Sequence, residues 1–336
     1  MSITQTARSV SATPVILHQN IRDYLAQNSF DLYIVNEFSR FLVAHYDNIL
    51  TVEQSDIHKL DAFLQNFTGV GKRVLAIGAG AVVDAAKYIC LKTQSDFYCA
   101  PSALSTNSFA THRNSFFDHY AGKNSFNSAT VKQLIIDYEL IRTAPILNLF
   151  GMVEIAATAV ALVDCKITHD RTGVTFDAEL LHRAERIVDA ITPILSDDVD
   201  ESNFDILLGA LVESGYLTRK YGSGRIVSGS EHIVSSYLEN DFSCPHGVGL
   251  LFGILICSEL QKFHGYADER VENVRAALMR NSHMRRYILK DYPFEKVMQT
   301  LRRVKPRADK VTVLDIVEPR EFATVSTREI ERYYKM

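Results

Sequence analysis

Paired cysteine is what this chain most plainly lacks. Its five cysteines, Cys90, Cys99, Cys165, Cys244 and Cys257, are scattered, odd in number and never spaced as CxxC. That argues against a disulfide framework or a cysteine-only zinc site, and for a reducing compartment. No lysine-arginine block or basic-aromatic stripe occurs, so nucleic acid is not an expected partner. Acidic and basic residues are mixed throughout, with a net charge of -4. The apolar stretch Ala156–Val163 falls far short of the roughly 20 residues that span a bilayer, so no membrane partner is expected. The opening residues MSITQTARSV lack the apolar core of a signal peptide, and the expected location is cytoplasmic. There is no internal repeat and no low-complexity linker.

What is present is an ordinary globular composition, 47% hydrophobic and 23% charged over 336 residues. That length suggests two domains, because single cores stop growing at roughly 250–300 residues. Residues 1–14 are polar and read as frayed or as an edge strand. Short β-rich runs follow at 31–35, 48–52, 73–77, 96–100 and 132–136. Helical spacing appears at 37–45, 57–67 and 81–91, and Gly122–Thr130 reads as a polar loop. Strands alternating with helices predict βαβ units and a mostly parallel sheet. After residue 140 the pattern turns helical, over 141–166, 178–194, 203–221, 231–238, 247–263, 271–280, 284–289, 293–304 and 327–334. Lys310–Leu314 is the one strand-like interruption. The expectation is an α/β nucleotide-binding domain over 1–141 and an all-α domain over 142–336.

The strand 73–77 runs into Gly78-Ala79-Gly80 and then a helix from Ala81. Glycines let a backbone approach a pyrophosphate, and a helix N-terminus offers free N–H groups and a positive dipole end. A tight strand-to-helix turn with no ligand fits the same residues. Lys87, further along that helix, reads as a solvated face residue. The strand 96–100 ends in a loop with Ser102, Ser105, Asn107 and Thr111, at the edge where open α/β sheets bind ligands. His112 and Arg113 follow directly and are candidate substrate contacts. Glu37, just past the first strand, is placed to accept from an adenosine ribose hydroxyl and to repel a 2′-phosphate, which favours NAD over NADP.

Glu154 lies in a helix that is apolar on almost every side, and such a helix is buried. A lone buried carboxylate costs several kcal/mol unless paired or metal-bound. A basic side chain or a divalent cation would each satisfy it. Asp164 faces the same problem about 80° round the helix, and is expected behind the metal ligands or at a domain contact. Ser228-Gly-Ser-Glu-His232 opens one helix and His246-Gly247 opens the next. One carboxylate and two imidazoles, Glu154, His232 and His246, suit zinc first, with nickel or ferrous iron also compatible, and leave positions open for a substrate oxygen. Ser236 sits one turn beyond His232 on the same face.

Together, Gly78-Ala-Gly-Ala-Val-Val-Asp84 with Lys87-Tyr88, Pro101-Ser-Ala-Leu-Ser105-Thr-Asn107, the SGSEH motif and His246-Gly247 resemble sn-glycerol-1-phosphate dehydrogenases in content and order. Those belong to the superfamily of iron-containing alcohol dehydrogenases and dehydroquinate synthases. The resemblance runs from about residue 30 to 265. It implies a dehydroquinate synthase-like fold with the active site between a nucleotide domain and a helical domain. It implies that Gly78, Ala79, Gly80, Ala81, Val82 and Asp84 surround the pyrophosphate, with Ser102, Ser105 and Thr111 also at the cofactor. It puts Glu154, His232 and His246 on the metal positions, Asn107 on a substrate-contacting one, and suggests a homo-oligomer. Three positions depart from the family: Glu154 and Asn107 stand where aspartate is usual, and Ser236 stands where a substrate-binding histidine is usual. The expected activity is a metal- and NAD(P)-dependent dehydrogenase of a small, phosphorylated or otherwise anionic hydroxy or keto compound. The alternatives are a dehydroquinate synthase-like cyclase that uses NAD transiently, and a catalytically degenerate nucleotide-binding relative.

Overall fold

The sheet is wholly parallel, and its strands end where the candidate nucleotide residues begin. The computed structural model describes residues 14–67, 69–118, 122–196 and 201–336. The expectation for the first residues therefore falls, but for its last position, outside the described residues. The first part runs β1 (Val15–His18), α1 (Ile21–Gln27), β2 (Leu32–Val35), β3 (Ile49–Thr51), α2 (Ile57–Asn66), β4 (Arg73–Ile77), α3 (Ala81–Thr93), β5 (Asp96–Ala100), β6 (Arg113–Asp118), β7 (Gly122–Asn127) and β8 (Val131–Ile136). Six strands form one sheet in the order β1-β8-β5-β4-β2-β3, and β6 and β7 pair separately as an antiparallel hairpin. The apolar runs of β2 and β4 are buried on both faces, as parallel strands covered by helices must be. Register aligns Val35 with Ile77 and Ile77 with Ala100. Glu37, the glycine turn and Ser102 therefore leave the sheet along one edge.

From Pro145 every long element is a helix. A short α4 (Tyr138–Ile141) leads to α5 (Pro145–Thr172), α6 (Ala178–Ile191), α7 (Glu201–Tyr221), α8 (Ser230–Phe242) and α9 (His246–Phe263). There follow α10 (Glu269–Arg280), α11 (Ser282–Asp291), α12 (Phe294–Leu301) and α13 (Pro319–Lys335). α5 and α9 pack together at the centre of this part and are buried along most of their length. α5 is longer than its purest apolar run suggests. By length and hydropathy alone it could cross a membrane, yet 83% of its apolar window is buried inside the protein. All five cysteines are buried.

Four local expectations need correction. Residues 37–45 hold only a 3-10 turn at Arg40–Leu42. Asn36 and Ser39 compete for the backbone there: Ser39 N donates to Asn36 Oδ1 at 3.0 Å, and Ser39 Oγ donates to the Ile77 carbonyl at 2.6 Å. Gly122–Thr130 is largely strand rather than loop, because Phe126 stacks on Phe116 and both rings meet Tyr88 of α3. Lys310–Leu314 forms no strand; Thr312 and Asp315 make a reciprocal capping box that winds Val313–Asp315 into a 3-10 turn. Lys87 is fully buried, not solvated. The hairpin covers the face of α3 that a simple βαβ unit would leave exposed.

Candidate metal centre and nucleotide edge

Three helices bring Glu154, His232 and His246 together. Glu154 comes from the middle of α5, His232 from the first turn of α8, and His246 from the start of α9. One donor atom from each lies within 4.8 Å of the others. Glu154 Oε2 is 3.1 Å from His246 Nε2 and 3.7 Å from His232 Nε2. Despite that proximity, Oε2 is buried and makes no hydrogen bond of acceptable geometry. Burial alone would push the Glu154 carboxyl up; the two imidazoles outweigh it and hold the group well below the usual carboxylate range. Two nitrogens and one oxygen, with an orphaned buried carboxylate oxygen among them, fit a divalent cation of the zinc class.

The far nitrogen of each imidazole is also engaged. His232 Nδ1 lies 2.6 Å from Glu231 Oε1, and His246 Nδ1 lies 2.6 Å from Glu239 Oε1. Both glutamates are buried. Neither was singled out from the sequence, although Glu231 is part of the SGSEH motif and Glu239 sits two helical turns beyond His232. Beneath them, Asp164 Oδ2 accepts from Ser230 N at 2.6 Å, while Oδ1 accepts from Val313 N at 2.9 Å and from Gln261 Nε2 at 3.1 Å. Asp164 thus fixes the start of α8 and does not join the three donors. Burial, and then the Glu231 carboxylate, push its pKa up to about 6. Lys310 completes the support, its Nζ donating to the Ser228 carbonyl at 3.1 Å and the Gly229 carbonyl at 3.3 Å.

At the nucleotide edge, Gly78 N donates to the Ala100 carbonyl and Ser102 N donates to the Gly78 carbonyl, which ties the ends of β4 and β5 together. Gly80 caps α3 with φ +47, a conformation that favours glycine, and brings no capping side chain. Ala79, Ala81 and Val82 complete the turn beside it. Asp84 is buried and lies 3.2 Å from Lys87 Nζ, so its charge is balanced inside the protein. Glu37 is exposed, pairs with Arg40 at 3.3 Å, and its backbone N–H donates to Glu53 Oε1 at 2.7 Å.

The loop from Ser102 to Arg113 is fastened to the helical part as well as to α3. Asn148 of α5 accepts from Leu104 N at 2.8 Å. Asn107 Nδ2 donates to Ser214 Oγ of α7 at 2.8 Å, and Arg219 donates to the Ala110 carbonyl. Gly151 lies directly under Leu104, and an added Cβ would fall well inside contact distance of the Leu104 carbonyl oxygen. Gly151 and Glu154 are neighbours on one face of α5, so the loop carrying Ser105 lies close to the cluster of Glu154, His232 and His246. Gly151→Ala is expected to destabilise the protein by about 2–3 kcal/mol through overpacking against backbone and to raise KM for the nucleotide. Denaturant titration and cofactor kinetics check both; a wild-type midpoint would show that the loop yields freely.

The remaining candidates are engaged elsewhere. Arg113 binds Ser125 and Asn127 across the hairpin. Ser236 Oγ donates to the Ile233 carbonyl of its own helix at 2.7 Å. Thr111 Oγ1 accepts from Arg113 N. His112 is buried, and its Nδ1 has no hydrogen-bond partner. Burial, then Arg113, Arg219 and Lys87, lower its pKa from 6.5 to about 4. The folded state therefore binds fewer protons at His112 than the unfolded state between those values. Its contribution to stability is complete above about pH 6.5 and is lost as pH falls toward 4. His112→Gln is expected to reduce the stability lost between pH 7 and pH 4 by on the order of 1–2 kcal/mol, allowing for solvent screening. Urea melts at the two pH values measure it.

Comparison with known proteins points one way. Residues 21–145 match the family model described as iron-containing alcohol dehydrogenase. The glycerol-1-phosphate dehydrogenase [NAD(P)+] of Pyrococcus horikoshii is 26% identical over 231 residues, which span 67% of this chain and just under two thirds, 65%, of that enzyme. Among solved structures, the glycerol dehydrogenase of Schizosaccharomyces pombe superposes with a TM-score of 0.66 at 14% identity, covering 96% of this chain and 89% of that one. The sulfoacetaldehyde reductase of Bifidobacterium kashiwanohense, solved in complex with NAD+, gives 0.65 at 15% identity, covering 97% and 99%. The α/β-plus-helical architecture is the fold of these enzymes.

Proposed function

We propose that this chain, a glycerol-1-phosphate dehydrogenase-like member of the iron-containing alcohol dehydrogenase superfamily, transfers hydride between NAD(P) and a small hydroxy or keto compound at a divalent metal centre. One observation carries the reading: Glu154, His232 and His246, distant in sequence, converge with a buried carboxylate oxygen that has no hydrogen bond. When bound, zinc, or nickel or iron in its place, would act as a Lewis acid and the nicotinamide would carry the hydride. The chain's own residues do the rest. Glu154, His232 and His246 would hold the metal, and three protein donors would leave coordination positions for a substrate oxygen. The uncapped start of α3 and the Gly78–Gly80 turn receive a pyrophosphate. Glu37 and Glu53, together at the sheet edge, favour a free ribose hydroxyl and hence NAD. Asn148 and the Gly151 contact hold the cofactor loop one turn from Glu154, which supplies orientation. The likeness to glycerol-1-phosphate dehydrogenases favours a phosphorylated or otherwise anionic substrate.

In this reading residues 1–141 bind nucleotide and residues 142–336 bind metal and substrate. The protein works in the cytoplasm as a homo-oligomer, with neither nucleic acid nor membrane as partner. The test is to follow NADH oxidation by candidate ketones and keto phosphates, with metal-stripped protein and after adding zinc or nickel. Full activity without metal would overturn it. Glu154, in place of the usual aspartate, keeps a cyclase reading in view, and phosphate release without net NADH change would select that. Asn107 and Ser236 both bond to neighbouring protein groups; nucleotide and metal binding without turnover of any ketone would point to a degenerate relative.

A further inference from the structure

Two buried glutamates stand behind the two histidines. Glu231 and Glu239 both belong to α8, which also carries His232. Glu231 Oε1 accepts from Gly229 N at 2.7 Å as well as facing His232 Nδ1, so one oxygen holds both the turn and the ring. Glu239 reaches across to His246 of α9, and Ser235 Oγ donates to the same Glu239 oxygen at 2.7 Å. An ionised carboxylate can only accept hydrogen bonds. With an ion held at the Nε2 side, each ring would carry its proton on Nδ1, toward its glutamate. The structure assigns Glu231 and Glu239 as positioning residues: they fix tautomer and orientation of both imidazoles and thereby set how tightly the centre holds its metal. This rests on reading the cluster as a metal centre.

The carboxylate also makes the imidazole a stronger donor, and loss of such a partner typically costs about 10–100-fold in metal affinity. Glu239→Gln keeps an acceptor but removes the charge, and should weaken zinc binding about 10-fold. Glu239→Ala removes the acceptor too and should weaken it about 100-fold. Glu231→Gln should resemble Glu239→Gln. Glu231 is fully buried and its variant is the more prone to misfold, so the Glu239 pair carries the test.

The experiment uses the full chain, stripped of metal and titrated with zinc against a chromophoric chelator. Cobalt(II) is added in parallel, so that its visible absorption reports the ligand geometry. Circular dichroism of the metal-free proteins checks that the fold is intact. Graded loss of affinity, with an altered cobalt spectrum in Glu239→Ala, supports the assignment. Wild-type affinity in Glu239→Ala and Glu231→Gln, while Glu154→Ala binds nothing, overturns it and leaves the metal centre standing. Wild-type protein that binds neither ion overturns both.

Discussion

Glu154→Ala is expected to lose bound metal and to lower kcat/KM on the order of 10³-fold or more. The estimate follows from the several kcal/mol a Lewis acid contributes to the transition state, at about 1.4 kcal/mol per tenfold. Glu154 is the one anionic donor of the three, and α5 gives it no basic partner in place of a cation. The alanine would leave two imidazoles facing a small apolar gap among the buried residues of α5. Metal content of the purified variant and steady-state kinetics with NADH provide the measurement. Glu154→Asp keeps the charge and shortens the reach by one methylene, so it should retain part of both properties. An alanine variant with full turnover would remove the metal centre from the reaction altogether.

Lys87→Met should be the most destabilising single change outside that cluster, by about 3–5 kcal/mol. Lys87 Nζ donates to the Ser108 carbonyl at 2.9 Å and the Arg113 carbonyl at 2.5 Å, and lies 3.2 Å from Asp84. Burial pulls its pKa below the ordinary lysine range against the opposing pull of Asp84. Methionine would fill the volume while removing the charge that balances a buried carboxylate and the donor shared by two carbonyls. Those carbonyls bracket the stretch from Ser108 to Arg113, so the cofactor loop should loosen as well. Denaturant titration of Lys87→Met, Asp84→Asn and the double variant would show strong coupling, since the pair act as a unit. Simple additivity, or a loss under about 0.5 kcal/mol, would mean that the ammonium does not hold this loop.

The sequence by itself determined the class of most elements and singled out the three residues that the structure brings together. Short apolar runs bounded by turn residues became the parallel strands, and 3.6-residue periodicity became the helices after Pro145, because both patterns follow from which faces must be buried. Glu154 stood out because a carboxylate inside an all-apolar helix needs a partner wherever that helix lies. What only the tertiary structure decided was who meets whom across elements. Lys87 looked solvated until the hairpin covered α3, and the hairpin itself depends on Phe126 finding Phe116 and Tyr88. Only the structure shows that Arg113 bonds across the hairpin and that Ser236 bonds within its own helix. Glu231 and Glu239 were ordinary helix carboxylates in the sequence; only the packing of α8 on α9 put the second behind His246. Periodicity reports that a face is buried, but the partner atom across the interface comes from a distant part of the chain.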